Sequence, residues 1–222
     1  MRAPDLCLGF ALVLAVVLMA ARPAAAGIGS VSIKGGLSMA NLLGTLPTSQ
    51  LVSNGHRNSA GGGVAVTFPT GGPWSFQPEL LYVSKGTSYG SSDLTDAVGN
   101  VVGSVETSLV IDYLEFPLLA RYGFRAEETM SPYLLAGASV GFRTRQDLVI
   151  SGDLSSKTGV DFFRPADLGL AFGSGFELGR SRYRGLLEAR YTLGLLDVGR
   201  DPFSSSVRNG NFLLMAGMSY RP

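Results

Sequence analysis

Tyr113-Leu114-Glu115-Phe116-Pro117-Leu118-Leu119-Ala120-Arg121-Tyr122 is the stretch that decides how the chain is read. Taken by twos, Leu114, Phe116, Leu118, Ala120 and Tyr122 form an apolar row, and the alternate row opens on Glu115 and ends on Arg121. Successive side chains of a strand point to opposite faces, so a two-residue period over about ten residues describes a strand with one apolar and one polar face. Alone, this segment fits a soluble sandwich or a membrane barrel. Its neighbours and their connections choose between them.

Seven further segments alternate in the same way. Before the quoted strand come three. The first, residues 28–41, sets Val31, Ile33, Leu37 and Met39 against Ser32, Lys34 and Ser38. The second, 59–68, sets Val64, Val66 and Phe68 against Gly63, Ala65 and Thr67. The third, 75–87, sets Phe76, Leu80 and Tyr82 against Gln77, Glu79 and Lys85. Four follow it. Leu134, Ala138, Val140 and Phe142 oppose Ser139, Arg143 and Arg145; Leu168, Leu170, Phe172 and Phe176 oppose Asp167, Gly173 and Glu177. Leu187, Ala189, Tyr191 and Leu193 oppose Glu188 and Arg190, and Phe212, Leu214 and Met218 oppose Asn211, Leu213 and Ser219.

The connections between these eight strands alternate in length. Residues 42–57, 88–104, 146–162 and 197–208 are long and polar, whereas 69–73, 124–131 and 179–182 are short. Long loops on one side and tight turns on the other are the rhythm of an up-and-down transmembrane barrel. The aromatic residues Phe68, Phe76, Tyr122, Phe176 and Tyr220 collect near the short-turn ends, as an interfacial girdle would. The reading is an all-β, eight-stranded antiparallel transmembrane β-barrel. A soluble barrel that buries the apolar row inside is the alternative. Pro78 and Pro117 fall within strands, where each removes a ladder donor, so a bulge or an unpaired position is expected at both.

The N-terminus and the composition agree with export. Arg2 precedes an apolar run over residues 6–21, and Ala24-Ala25-Ala26 places small residues before Gly27, the pattern of a cleaved signal peptide over 1–26. An uncleaved anchor is the alternative, although the run falls short of the roughly 20 residues a spanning helix needs. The barrel domain is then 27–222. The whole chain has 18 Lys and Arg against 17 Asp and Glu. Cleavage takes Arg2, Arg22 and Asp5 with it, leaving the two signs equal in number. A neutral chain without a basic patch argues against nucleic acid as a partner. The single cysteine, Cys7, leaves with the signal, so pairing and packing alone hold the fold. The 30 glycines are roughly twice average usage. They lie inside the alternating segments, where a sheet bends or an interior must hold little.

In this order the motifs resemble the PorT-like outer-membrane β-barrel domain family. The carriers are Ile33-Lys34-Gly35-Gly36-Leu37, Pro78-Glu79-Leu80-Leu81-Tyr82 with Lys85-Gly86, and Tyr113 to Leu118 of the opening stretch. Pro132-Tyr133-Leu134-Leu135-Ala136-Gly137, Asp167-Leu168-Gly169-Leu170 with Gly175-Phe176-Glu177, and Arg190-Tyr191-Thr192-Leu193-Gly194-Leu195 continue it over nearly all of the mature chain. The resemblance implies the outer membrane of a Gram-negative bacterium. It implies lipid and lipopolysaccharide as surroundings, the barrel assembly machinery as a partner in biogenesis, and the two prolines as family features. Barrels of this kind often end on an aromatic residue, whereas here Arg221-Pro222 follow Tyr220.

The inward row defines the candidate site. It carries the bases Lys34, Lys85, Arg121, Arg143, Arg145 and Arg190 and the acids Glu79, Glu115, Asp167, Glu177 and Glu188. Charges removed from water need partners, and eight strands leave an interior that side chains can fill, so a self-neutralising ion-pair plug is expected. A polar conduction path is the alternative. Glu115 and Arg121 are expected to find partners on the adjoining strands, which supply Lys85, Arg143, Arg145 and Glu79. No catalytic residue, metal site or cofactor is expected. His56 is a lone loop histidine without triad spacing, and Gly173-Ser174-Gly175 lies within a strand rather than before a helix. Asp93, Asp96, Asp147, Asp153 and Asp161 match no calcium-ligand spacing. The functional reading is a non-enzymatic structural or surface-interaction barrel. A small ligand-binding or transport barrel and a lipid-modifying enzyme are the alternatives.

Overall fold

The computed structural model describes residues 27–43, 57–95, 98, 100–124, 129–152, 156–159, 165–196 and 208–222. Among these residues nine strands run in chain order: β1 Ser30–Leu43, β2 Arg57–Gly71, β3 Trp74–Thr95, β4 Val101–Gly123, β5 Met130–Gly152, β6 Ser156–Gly159, β7 Ala166–Leu178, β8 Tyr183–Gly194 and β9 Arg208–Tyr220. Every pairing between them is antiparallel. β1 pairs with β9 from Val31↔Tyr220 to Leu43↔Arg208, and β4 pairs with β5. The ring therefore closes as β1-β2-β3-β4-β5-β7-β8-β9. Eight strands make the barrel. β6 is an addition that, among the described residues, pairs only with the far end of β5, from Asp147↔Gly159 to Ile150↔Ser156.

Burial is inverted relative to a water-soluble protein. Ile33 is 66% exposed, and Leu37, Phe172 and Met218 are each more than half exposed, whereas Lys34, Glu79, Glu188 and Arg190 lie at 5% or less. The exposed apolar residues continue around the ring, with Val64, Leu80, Leu134, Leu170, Leu187 and Leu214 on neighbouring strands. A soluble barrel would reverse the two faces, so that alternative fails. Such an apolar belt is stable against hydrocarbon and costly against water.

Aromatic rings mark the short-turn end. Trp74 packs edge-on against Tyr122 at 4.9 Å, Tyr122 against Phe124 at 5.2 Å, and Tyr183 lies 5.1 Å from Tyr220. The β2–β3 turn there is tight because Gly71 and Gly72 take φ of 108° and 60°, which a side chain would disfavour.

Three strands are longer than the sequence pattern foretells. Pairing of β3 with β4 continues to Thr95↔Val101, so most of the expected loop 88–104 is strand. β5 likewise runs past Arg145 to Gly152, into the expected loop 146–162. The reason is solvent. Alternation appears only where one face meets lipid and the other a packed bore. Beyond the membrane no lipid presses on the outer face, so segments such as 88–95 and 146–152 pair without a two-residue signature.

Pro78 and Pro117 each sit at a break in one ladder, without a change of register. β2 and β3 pair at Ala65↔Glu79 and next at Phe68↔Phe76, skipping the position of Pro78. β3 and β4 pair at Pro78↔Leu118 and next at Leu81↔Glu115, skipping that of Pro117. Register shifts lie elsewhere: near the β2–β3 turn, in the far part of the β3–β4 ladder, and between β4 and β5, where Asp112 pairs Arg145 but Tyr113 pairs Arg143. Thr144 is the extra residue of that bulge.

Candidate functional site in the barrel interior

Small and large side chains share the bore unevenly. β5 and β7 contribute Gly137, Ser139, Gly141, Gly169, Ala171, Gly173 and Gly175 to the inward row. The small residues leave room for neighbouring side chains, and Leu81 and Val83 from β3 with Leu213 and Met215 from β9, all four fully buried, form one apolar cluster. Gly175 is the clearest case: a Cβ there would come within 2.6 Å of the Tyr133 ring and hydroxyl. Leu119, Tyr133, Leu135 and Ala171 form a second apolar cluster. Polar groups occupy three layers around these clusters.

The middle layer joins β1, β3 and β8. Lys34 Nζ donates to Glu79 Oε1 at 2.9 Å and to both Glu188 oxygens at 3.0 Å. The Arg190 guanidinium forks onto Glu79 at 2.8 and 2.9 Å and also donates to Glu188 Oε1 at 2.5 Å. Tyr133 donates its hydroxyl to Glu188 at 3.1 Å. Two bases and two acids thus neutralise each other with their side chains at most 1% exposed. Bidentate, charge-assisted hydrogen bonds are what a charged group needs once water is removed.

The periplasmic layer joins β4, β7 and the tail after β9. Arg121 Nη2 binds Glu177 Oε1 at 2.8 Å, and the guanidinium stacks 3.8 Å above the Tyr133 ring. Arg221 Nη2 binds the other oxygen of Glu177 at 2.6 Å. Gln77 connects this layer to the middle one. Its Oε1 accepts from Arg121 at 3.1 Å, and its Nε2 donates to Glu79 at 2.6 Å.

The outer layer joins β3, β4, β7 and β9. Lys85 Nζ lies 2.5 Å from Glu115 and 3.8 Å from Asp167, and 5.0 Å from the centre of the Tyr113 ring. Asn209 donates to Asp167 at 2.8 Å. Arg143 donates to Gln146 at the outer mouth.

Of the eleven residues singled out from the sequence, ten point into the bore and Arg145 does not. The Thr144 bulge shifts parity by one, so Arg145 emerges on the outer face beside Asp112 at 4.0 Å and bonded to Asp147. Its side chain is 47% exposed. Lys157 of β6 joins Asp147 at 3.5 Å. Partner choice also differs from expectation for Arg121. Its ion pair crosses β5 over the Tyr133 ring to Glu177 on β7, while the adjoining β3 supplies only the neutral acceptor Gln77. Glu115 does use its neighbour, Lys85 on β3.

Gln77, Tyr113, Tyr133 and Asn209 complete the layers and were not singled out from the sequence. Gln77, Tyr113 and Tyr133 sit at inward parity, which a strict two-residue count would have found. Asn209 stands one residue past the expected loop 197–208, near the start of β9, and Arg221 lies after the last strand. Among the described residues no group of three or more His, Cys, Asp or Glu is arranged to hold a metal. Asp147 is held by Arg145 and Lys157, and Gly173 to Gly175 lie within β7. His56, Asp96, Asp153 and Asp161 lie outside the described residues, as does the expected signal peptide.

A closed antiparallel ring, apolar outside and ion-paired inside, is an integral outer-membrane β-barrel. Residues 29–199 match the family model for the outer membrane protein beta-barrel domain, and the chain belongs to that family. Among solved structures it is similar to Ail, the attachment invasion locus protein of Yersinia pestis, solved with the heparin analogue sucrose octasulfate. The two are 18% identical over 86% of this chain and 99% of that one, with a TM-score of 0.41. Neisserial surface protein A is 16% identical over 87% of this chain and 99% of its own, at a TM-score of 0.42. OprG of Pseudomonas aeruginosa is 12% identical over 87% and 97%, at 0.45. No curated protein matches the chain.

Proposed function

We propose that this protein is a non-enzymatic surface-interaction barrel whose bore is closed by ion pairs and whose protruding sheet meets the partner. Strand length carries the reading. β3, β4 and β5 are 22, 23 and 23 residues long, whereas the other strands of the ring have 12 to 15. A transmembrane strand needs about 9–11 residues. With a rise of ~3.3 Å per residue and a tilt near 40°, roughly ten surplus residues lift the sheet about 25 Å beyond the membrane. β6 extends it sideways with four exposed residues and an edge that no described strand pairs, the kind of edge that accepts another chain. Arg145, Asp147 and Lys157 give the sheet a mixed charge, which suits a polar partner or lipopolysaccharide headgroups.

Within the family, the order of motifs supports a finer kinship with PorT-like barrels of Gram-negative bacteria. Export is read as cleavage after Ala26, and insertion as the work of the barrel assembly machinery. N-terminal sequencing of the membrane-extracted protein checks the cleavage.

Two measurements test the role. In planar bilayers the wild-type barrel should pass no steady current, because the middle layer fills the bore. Replacing residues 88–104 with a short turn should preserve the heat-modifiable gel shift of a folded barrel and abolish cross-linking to surface partners on intact cells. An open-pore conductance, or the same cross-linked partners with and without the protruding hairpin, would count against the proposal.

A further inference from the structure

The periplasmic end of the bore has a chemistry that closure does not require. A cavity of about 620 Å³ opens there, and its wall includes Arg121, Glu177, Arg221, Ser131, Tyr122 and Phe124. Among the described residues Glu177 is the one carboxylate lining it, held between the two arginines at 2.8 and 2.6 Å. Among the described residues positive charge exceeds negative nearby as well. Arg184 donates to Ser131 at 3.1 Å while its buried Nε has no partner among the described residues, and Arg180 and Arg182 occupy the adjoining β7–β8 turn. The Arg221 side chain is 41% exposed and binds Glu177 through a single nitrogen.

We propose that this vestibule binds a soluble periplasmic anion bearing carboxylate or phosphate groups, with Arg121 and Arg221 as its principal contacts. A guanidinium carries five donors in a planar fork that matches an oxyanion. The hydrogen bonds to Glu177 occupy only part of that capacity. The cavity volume lies within the range of small-molecule sites, about 300–1,000 Å³. Tyr122 and Phe124 supply an apolar wall for the carbon frame of a ligand, and the excess of arginine draws anions toward the mouth. The closed middle layer above makes the vestibule a blind pocket. A ligand enters and leaves on the periplasmic side.

The test is titration calorimetry on the intact barrel in phosphatidylcholine nanodiscs at low salt, with citrate and inorganic phosphate as probes. Both should bind saturably, citrate more tightly, and the affinity should fall as salt rises. Arg221→Gln, a change outside the strands, should weaken citrate at least about fivefold while the gel shift confirms a folded barrel. Glu177→Gln removes the carboxylate that competes for the same donors and should tighten citrate about threefold or more. Absence of saturable binding to the wild type overturns the proposal, as does binding that Arg221→Gln leaves unchanged. Binding seen only as a preference for phosphatidylglycerol nanodiscs overturns it too, because the anion would then be a lipid headgroup outside the bore.

Discussion

The cluster of Lys34, Glu79, Glu188 and Arg190 and the cluster of Arg121, Glu177 and Arg221 use the same chemistry in the same bore: arginine donors on glutamate acceptors. In the first, every charged side chain is at most 1% exposed and the signs balance. In the second, two bases share one acid and the Arg221 side chain is 41% exposed. Access to water separates them. Sealed charges depend on one another, because any one left alone has no solvent to turn to. At the mouth Arg221 can exchange its partner for water, or for a ligand, at small cost, whereas Arg121 and Glu177 behind it are 11% and 1% exposed.

The sharpest way to break this contrast is to remove one sealed charge. Arg190→Met leaves Glu79 and Glu188 with Lys34 alone, and should lower stability by about 3–5 kcal/mol in urea unfolding from detergent. A loss below about 1 kcal/mol would mean that water reaches the middle layer. Lys85→Glu should cost a comparable amount by setting three carboxylates together. Adding Glu115→Lys should recover more than half of that loss, and no recovery would separate those two residues energetically.

The lipid face supplies a control of intermediate size. Leu118→Arg or Leu170→Arg should lower stability by about 2–4 kcal/mol if either side chain lies near the midplane. Equal tolerance there and at the protruding Ser91→Arg would place the two faces the wrong way round. The smallest effect should be at the open cluster. Arg221→Gln should change unfolding by about 0–1 kcal/mol, the range of an exposed pair. A loss matching that of Arg190→Met would erase the distinction between the two clusters.

The parts of the barrel legible in the sequence are those where lipid and a packed bore press on opposite faces. There Leu114, Phe116 and Leu118 must alternate with Glu115 and Leu119, and the ring of eight strands follows. Legibility ends where that pressure ends. The upper parts of β3, β4 and β5 stand in water, so their pairing leaves no periodic trace. Arg145 marks a second limit. Parity counted along a strand is correct only until a bulge, and Thr144, an unremarkable residue in sequence, reverses everything beyond it. Partnership is the third. Lys34 meets Glu188 across 154 positions of chain, and the tilt and stagger that bring them level belong to the closed ring rather than to either segment.

The pairing of Val31 with Tyr220 also governs the order in which this molecule can come into being. The strand made first has one edge that only the strand made last can satisfy. Until β9 arrives, β1 keeps an unmatched row of amides and carbonyls, tolerable in water and prohibitive in hydrocarbon. Hairpins such as β7–β8 can form locally, but the seam demands contact between the two ends of the chain, the slowest kind to make. Insertion therefore cannot proceed strand by strand from the N-terminus into bare lipid. The growing edge has to be sheltered until the circle shuts, and an arrest at any earlier strand leaves the whole chain waiting.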